Sequence, residues 1–223
     1  MQNATMSQAE YEALRSNAKV LEADGHGDKV LLLTDGRIMK LFRVRHTISS
    51  ARWYPYSRRF AKNALLLRRN AIDTVGEIEL FKLPSMQRTG VLYQPLPGET
   101  LRRLGMAGEL TLADCKQAGE FIALLHTKGI LFRSIHLGNV VKQPNGELGL
   151  IDIADLSRQS GPLSKSQRLR NFRHLFRPPE DHAYLDAPRK TALIDGYLEY
   201  AGPRFASRPG FREEIATIAK LAC

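Results

Sequence analysis

Cysteine is nearly missing from this chain of 223 residues: only Cys115 and the terminal Cys223 occur, too few for a disulfide framework or a zinc cluster. Long apolar runs are missing too. No window approaches the eighteen or so apolar residues of a membrane span, and the opening MQNATMSQAEYEALRSNAKV lacks the apolar core of a signal peptide, so a cytoplasmic location is expected. Internal repeats and low-complexity tracts are absent as well. The most informative gap is acidic: from Gly36 to Ile72 there is no Asp or Glu, against ten Lys and Arg. With a net charge of +10 and a pI near 9.8, this makes one side of the first half strongly positive. Such a surface suits nucleic acid, anionic lipid or a phosphorylated substrate, and it also suits an ordinary solvated face.

What is present reads as an α+β chain of two parts. After a polar helix candidate, SQAEYEALRSN, the segments AKVLEA, DKVLLLT and RIMKLFRVR are separated by the turns DGHG and TDG and predict a three-stranded antiparallel meander. YSRRFAKNALLLRRNAI is rich in helix formers, and EIELFKL and TGVLYQPL read as two further strands. Five strands and one helix thus make a first lobe, and LPGETLRRLGM, with Pro97 and Gly98, reads as the connection out of it. Next comes TLADCKQAGEFIALLHTKG, a helix with Thr111 and Asp114 as a capping box, Cys115, Ala118, Ile122 and Leu125 as its apolar stripe, and Gly129 to stop it. NVVKQ and LGLIDI predict a short hairpin around PNGE, and KSQRLRNFRHLF and RKTALIDGYLEYAG predict helices. RPPE, at Arg177 to Glu180, is read as the end of the first of these.

Phosphoryl transfer from ATP asks a protein mainly for a cation on the phosphates, oxygen ligands for magnesium and a group that orients the attacking hydroxyl. Each has a candidate. Lys40 shares a strand face with Ile38 and Phe42, so its amine has apolar neighbours; it is either an anion-binding lysine or one guarding a sheet edge. Gly25 and Gly27 could let backbone N–H groups approach phosphates, or could simply make a hairpin turn. Asn139 and Asp152 stand thirteen residues apart at the ends of the predicted hairpin, an amide oxygen and a carboxylate suited to magnesium. Asp152, flanked by Ile151 and Ile153, could alternatively cap the next turn, and Asp155 is the fallback ligand.

Taken together, LLHTKGILFRSIHLGNVV and GLIDIADL resemble the core of the protein-kinase-like fold, written LH-x-x-G, then H-R-D-x-H-x-x-N, then an apolar strand ending in Asp. The chain is most similar to the bacterial branch that phosphorylates lipopolysaccharide core sugars, some members of which are labelled toluene tolerance protein. That resemblance implies a two-lobed architecture: a five-stranded antiparallel N-lobe over residues 1–92, a hinge over 93–101, and a compact, mainly helical C-lobe over 102–223. It further implies ATP and magnesium as cofactors. Lys40 would contact the phosphates, the glycine pair would cover them, Tyr93 and Gln94 would lie in the adenine-binding hinge, and Asn139 and Asp152 would hold the metal. Arg133, Ser134 and His136 would form the catalytic loop.

Departures from that pattern are chemical. Phe132 stands in place of the loop histidine and Ser134 in place of the catalytic aspartate, and a serine hydroxyl does not hold a proton at neutral pH. The helix after Lys40 carries no acid to pair with it; Asn63 is the substitute its amide allows. About seventy residues follow Asp152, too few for the helical lobe of a eukaryotic protein kinase, which favours a small or lipid-linked acceptor. The expected function is transfer of phosphate to a sugar hydroxyl of an anionic glycolipid, with the basic first lobe holding the acceptor and peripheral contact with the inner membrane. The alternative is a non-catalytic pseudokinase that binds nucleotide or a partner enzyme and regulates envelope assembly. Nucleic-acid binding through ARWYPYSRR ranks third.

Overall fold

The computed structural model describes residues 4–43, 55–206 and 208–220. Trp53, Tyr54, Arg45 and Arg52, part of the aromatic and basic segment singled out above, lie outside them. The chain divides into two compact units, Met1–Leu96 and Pro97–Cys223.

In the first unit, strand β1 (Ala4–Thr5) leads into helix α1 (Gln8–Ser16), which opens with a capping box between Ser7 and Glu10. Strands β2 (Lys19–Asp24), β3 (Gly27–Leu32) and β4 (Ile38–Arg43) form the predicted meander. Helix α2 (Tyr56–Arg69), a two-residue strand β5 (Asp73–Thr74), β6 (Gly76–Leu83) and β7 (Arg88–Gln94) complete the unit. The main sheet has the order β1-β6-β7-β4-β3-β2. It has six strands, not the expected five, and it is mixed, because β1 joins the outside of β6 in parallel. Two exposed residues carry no periodic signal, so only the backbone bonds, including Met6 N–H to the carbonyl of Lys82 at 2.9 Å, reveal this strand.

Strand alternation explains why the sheet is covered on both faces. Met39 and Leu41 point into a core with Leu31, Leu33, Phe81, Leu83 and Leu92, closed by Tyr11 of α1. The intervening residues of β4 point the other way, where the ring of Phe42 lies 6.2 Å from that of Tyr56 and 6.4 Å from that of Phe60 on α2. Lys40 shares this second face.

The second unit begins with β8 (Glu99–Thr100) and α3 (Leu101–Met106), which Thr100 caps; the segment expected to be a plain connection is therefore partly helical. Helix α4 (Leu112–Thr127) has the predicted Thr111/Asp114 box, and its predicted stripe of Cys115, Ala118, Ile122 and Leu125 is buried. Short strands follow: β9 (Ile130–Phe132), the hairpin β10 (Val140–Lys142) and β11 (Leu148–Leu150), then β12 (Leu156–Arg158), which pairs with β9. Helices α5 (Lys165–Leu175), α6 (Ala187–Ala201), α7 (Pro203–Ala206) and α8 (Phe211–Ile218) finish the unit. RPPE is not the end of α5: that helix stops at Leu175, and Pro179–Asp181 is a separate 3-10 turn, because consecutive prolines supply no N–H to continue a helix.

Helices α4 and α6 touch backbone to backbone. A methyl group at Gly119 would sit 1.9 Å from the carbonyl oxygen of Leu193, and one at Gly196 would sit 2.1 Å from that of Lys116. Each glycine is the hole into which the other helix fits. An ion pair of 2.6 Å between Lys142 and the buried Asp114 fixes the β10–β11 hairpin to the start of α4.

Candidate active site

The predicted catalytic loop leaves β9, turns at Arg133 and Ser134, and enters a 3-10 turn, Leu137–Asn139. Asn139 is buried, and its Nδ2 donates to the backbone carbonyl of Ser134 at 2.8 Å. That bond turns the amide so that Oδ1, an oxygen of the kind magnesium takes, faces away from that carbonyl. Val140 pairs with Leu150, and the N–H of Ile151 donates to the carbonyl of Asn139 at 3.1 Å. Asn139 and Asp152 thus leave the same end of the hairpin, as the spacing predicts.

Asp152 has φ 51° and ψ 45°, the left-handed region that a non-glycine residue enters at a cost. It occupies the cap position of the turn Ile153–Asp155, yet its carboxylate makes no capping bond. The capping explanation for this residue therefore fails. Asp155, the fallback, accepts from Arg133 at 3.1 Å in a half-exposed ion pair. Arg133 is thereby tied to the segment after Asp152. The hydroxyl of Ser134 makes no hydrogen bond with any described residue.

His136 caps the 3-10 turn, its Nδ1 accepting from the N–H of Gly138 at 3.1 Å. Burial, followed by the neighbouring guanidinium of Arg102, pushes its pKa below the ordinary imidazole value. Geometry explains why a proton is unwelcome. Two donors face Nδ1, Gly138 N–H and Arg102 Nη2 at 3.4 Å, while Asn139 Nδ2 lies 3.1 Å from Nε2. The neutral tautomer with its hydrogen on Nε2 leaves the fewest opposed donors.

Two residues that sequence reasoning missed support this loop. Asp181 is fully buried; one of its oxygens accepts from Arg102 Nε at 2.6 Å and the other from Leu137 N–H at 3.1 Å. Arg102 thus bridges the carboxylate and the His136 ring. No local pattern announces Asp181, which follows Glu180 in a polar, proline-rich stretch that reads as surface.

The remaining predicted site residues belong to the first unit. Lys40 is on β4, an interior strand between β3 and β7, which removes the edge-guarding explanation. It is half-buried, with its amine 6.0 Å from the Phe42 ring centre. Asn63 is buried on α2. Asp24 pairs with Gly27, so Gly25 and His26 form a two-residue hairpin turn, and Gly27 has φ 103°. The carbonyls of His26 and Asp28 accept from Arg88, the latter at 2.5 Å. That arginine anchors the turn to the sheet. Tyr93 ends β7 with Gln94; its ring centre lies 5.2 Å from that of Phe60.

Among the described residues, no group of three or more His, Cys, Asp or Glu could hold a metal, and no helix is long and apolar enough to cross a membrane. A magnesium ion asks less of the protein, since one or two side chains plus phosphate and water oxygens suffice. The pair Asn139 and Asp152 fits that donor set.

No family model matches the chain, and no curated protein does. Among solved structures it is similar to the bifunctional kinase-methyltransferase WbdD, with 17% identity and a TM-score of 0.44, over 86% of this chain and 47% of that one. The chain thus spans about half the length of that relative.

Proposed function

We propose that the protein is an ATP- and magnesium-dependent phosphotransferase of the protein-kinase-like type, acting on a sugar hydroxyl of an anionic glycolipid of the lipopolysaccharide core. The observation that carries this reading is the loop itself. Asn139 is turned by the Ser134 carbonyl so that its amide oxygen faces away from that carbonyl, and Asp152, strained and not capping, leaves the same hairpin end. Magnesium, when bound, neutralises phosphate charge. Asp152 would supply the charged ligand and Asn139 the neutral one.

The other residues divide the remaining work. His136, kept neutral, shapes the loop and adds no cation to the phosphates, so that charge falls to Lys40. Arg133 is occupied by Asp155 and positions the loop backbone. Ser134 can orient an acceptor hydroxyl through a hydrogen bond and cannot take its proton at neutral pH. General-base loss commonly costs roughly 100- to 10,000-fold, but a loose phosphoryl-transfer transition state depends more on positioning and charge. Slow turnover is compatible with serine. The second reading, a nucleotide-binding pseudokinase that acts through a partner enzyme, is favoured by that same serine.

Nucleotide binding with and without magnesium tests the proposal. Asp152→Ala should abolish the magnesium-dependent part, at least tenfold or about 1.4 kcal/mol. Asn139→Ala should weaken it less, and Lys40→Ala should weaken binding in the presence or absence of the metal. Asp155→Ala should bind Mg-ATP like the wild type. Loss in the Asp155 variant with retention in the Asp152 variant would sink the assignment.

A further inference from the structure

Helix α2 has a buried face of Phe60, Ala61, Ala64 and Leu67, and an opposite face that is exposed and basic. Arg58, Lys62, Leu65 and Arg69 recur at spacings of four, three and four, so they form one stripe along the helix. The helix contains no Asp or Glu at all.

That composition does not serve the helix. Solvated helical faces commonly alternate charge so that residues four apart attract, whereas Arg58 and Lys62 repel at that spacing. Arg58 and Arg59 also sit in the first turn, where the helix dipole disfavours cations, and Pro55 provides no side-chain cap to offset it. Arg68 and Arg69 suit the last turn, and Arg68 is used internally, donating to the carbonyl of Val75 at 2.6 Å. Like charge along the outer stripe is a cost that helix stability alone does not offset.

We infer that the Arg58–Lys62–Leu65–Arg69 face of α2 is a docking surface for an anionic lipid bilayer. Charge complementarity selects an anionic partner, and the stripe's own chemistry selects the bilayer. Leu65 is 43% exposed at its centre, with the half-buried Leu66 beside it, an apolar contact that a lipid headgroup layer accommodates. Single-stranded nucleic acid would instead be read by aromatic rings on which bases stack, and the stripe carries none. The helix's apolar face is already spent on the sheet, so contact is peripheral and mainly electrostatic. This inference stands independently of the phosphotransferase reading.

Each basic residue near an anionic membrane contributes about fivefold to binding, and the effect is screened within roughly 10 Å at 0.1 M salt. The test uses the full chain with vesicles of phosphatidylcholine alone and of phosphatidylcholine mixed with phosphatidylglycerol. Wild type should bind only the mixed vesicles, and less as salt rises. Arg58→Gln, Lys62→Gln and Arg69→Gln combined should weaken binding on the order of a hundredfold. A charge-matched control on and just after α5, Arg170→Gln, Arg173→Gln and Arg177→Gln combined, should change it only a few-fold. Leu65→Trp should tighten binding, a gain that misfolding cannot imitate. Equal loss in the control variant would reduce the effect to net charge and overturn the inference, as would no gain from Leu65→Trp, or tighter binding of single-stranded RNA than of the mixed vesicles. Nucleotide binding, measured on the same variants, separates this outcome from the fate of the proposed function.

Discussion

His126 is a fully buried titratable group of the second unit, and its bonds run in one direction. Arg168 Nη1 donates to the hydroxyl of Tyr197 at 2.8 Å, that hydroxyl donates to His126 Nδ1 at 2.9 Å, and His126 Nε2 donates to Asn171 Oδ1 at 2.8 Å. Asn171 Nδ2 then donates to the carbonyl of Phe132 at 2.6 Å, one residue before Arg133 of the candidate loop. Every ring nitrogen is used by the neutral form, and burial pushes the pKa down to about 3 from 6.5. The sign follows directly. The unfolded chain takes up a proton below pH 6.5 and the folded chain does not until about pH 3, so stability is full above pH 6.5 and declines between those limits. His136 and His174 are lowered as well and act in the same direction. Each such group costs up to about 1.4 kcal/mol per pH unit inside its window. Urea midpoints at pH 7 and pH 5 check this: the wild type should lose stability on acidification. His126→Gln should be weaker at pH 7 and less sensitive to the change. A mutant as pH-sensitive as the wild type would show that His126 is not the group responsible.

At the scale of elements, α4 and α6 meet backbone to backbone, and the contact at Gly119 has no room for a side chain. Gly119→Ala places a methyl 1.9 Å from a backbone carbonyl, which no rotamer change relieves, so the helices must separate. Overpacking typically costs about 1–3 kcal/mol, and a backbone clash belongs at the upper end. A thermal melt should show a large drop for Gly119→Ala and near-identity for Gly161→Ala, where the space is open and the backbone is not left-handed. Helix α4 itself was legible in the sequence because a capping box and a 3.6-residue stripe are local signals. The role of Gly119 was not, since a glycine becomes a socket only when another helix crosses it. The same division holds for the candidate site. Asn139 and Asp152 were readable because a hairpin brings sequence neighbours of its turn together, whereas Asp181 reaches Leu137 across 44 residues of chain. The left-handed backbone of Asp152 and the interior position of β4 were likewise invisible, because pairing order and dihedral angles belong to the sheet and the turn, not to residue types. Parallel β1 was missed for want of length.

Considered as a whole molecule, the chain carries its candidate phosphate lysine in one unit and its candidate metal ligands in the other, and the proposed function assigns a part to each. Whether it also turns over depends on Ser134, which can be tested by restoring a carboxylate. In a site merely impaired by serine, Ser134→Asp would raise phosphate transfer with little change in nucleotide affinity. The structure favours the opposite result. The loop's one basic side chain besides the neutral His136 is Arg133, already held by Asp155, and Arg102 of α3, which reaches the loop from outside, is already held by Asp181, so a new carboxylate would have no cation of the loop to pair with. It would also add negative charge beside the carbonyl that orients Asn139, where the proposed function asks for phosphates. Single-turnover transfer to core glycolipid should therefore be measurable for the wild type, lower by about tenfold or more for Ser134→Asp, and absent for Asp152→Ala. A faster Ser134→Asp enzyme would mean that serine is a lesion in an otherwise ordinary kinase site. No transfer by the wild type or Ser134→Asp, with magnesium-dependent nucleotide binding intact, would leave the pseudokinase reading in possession of the fold.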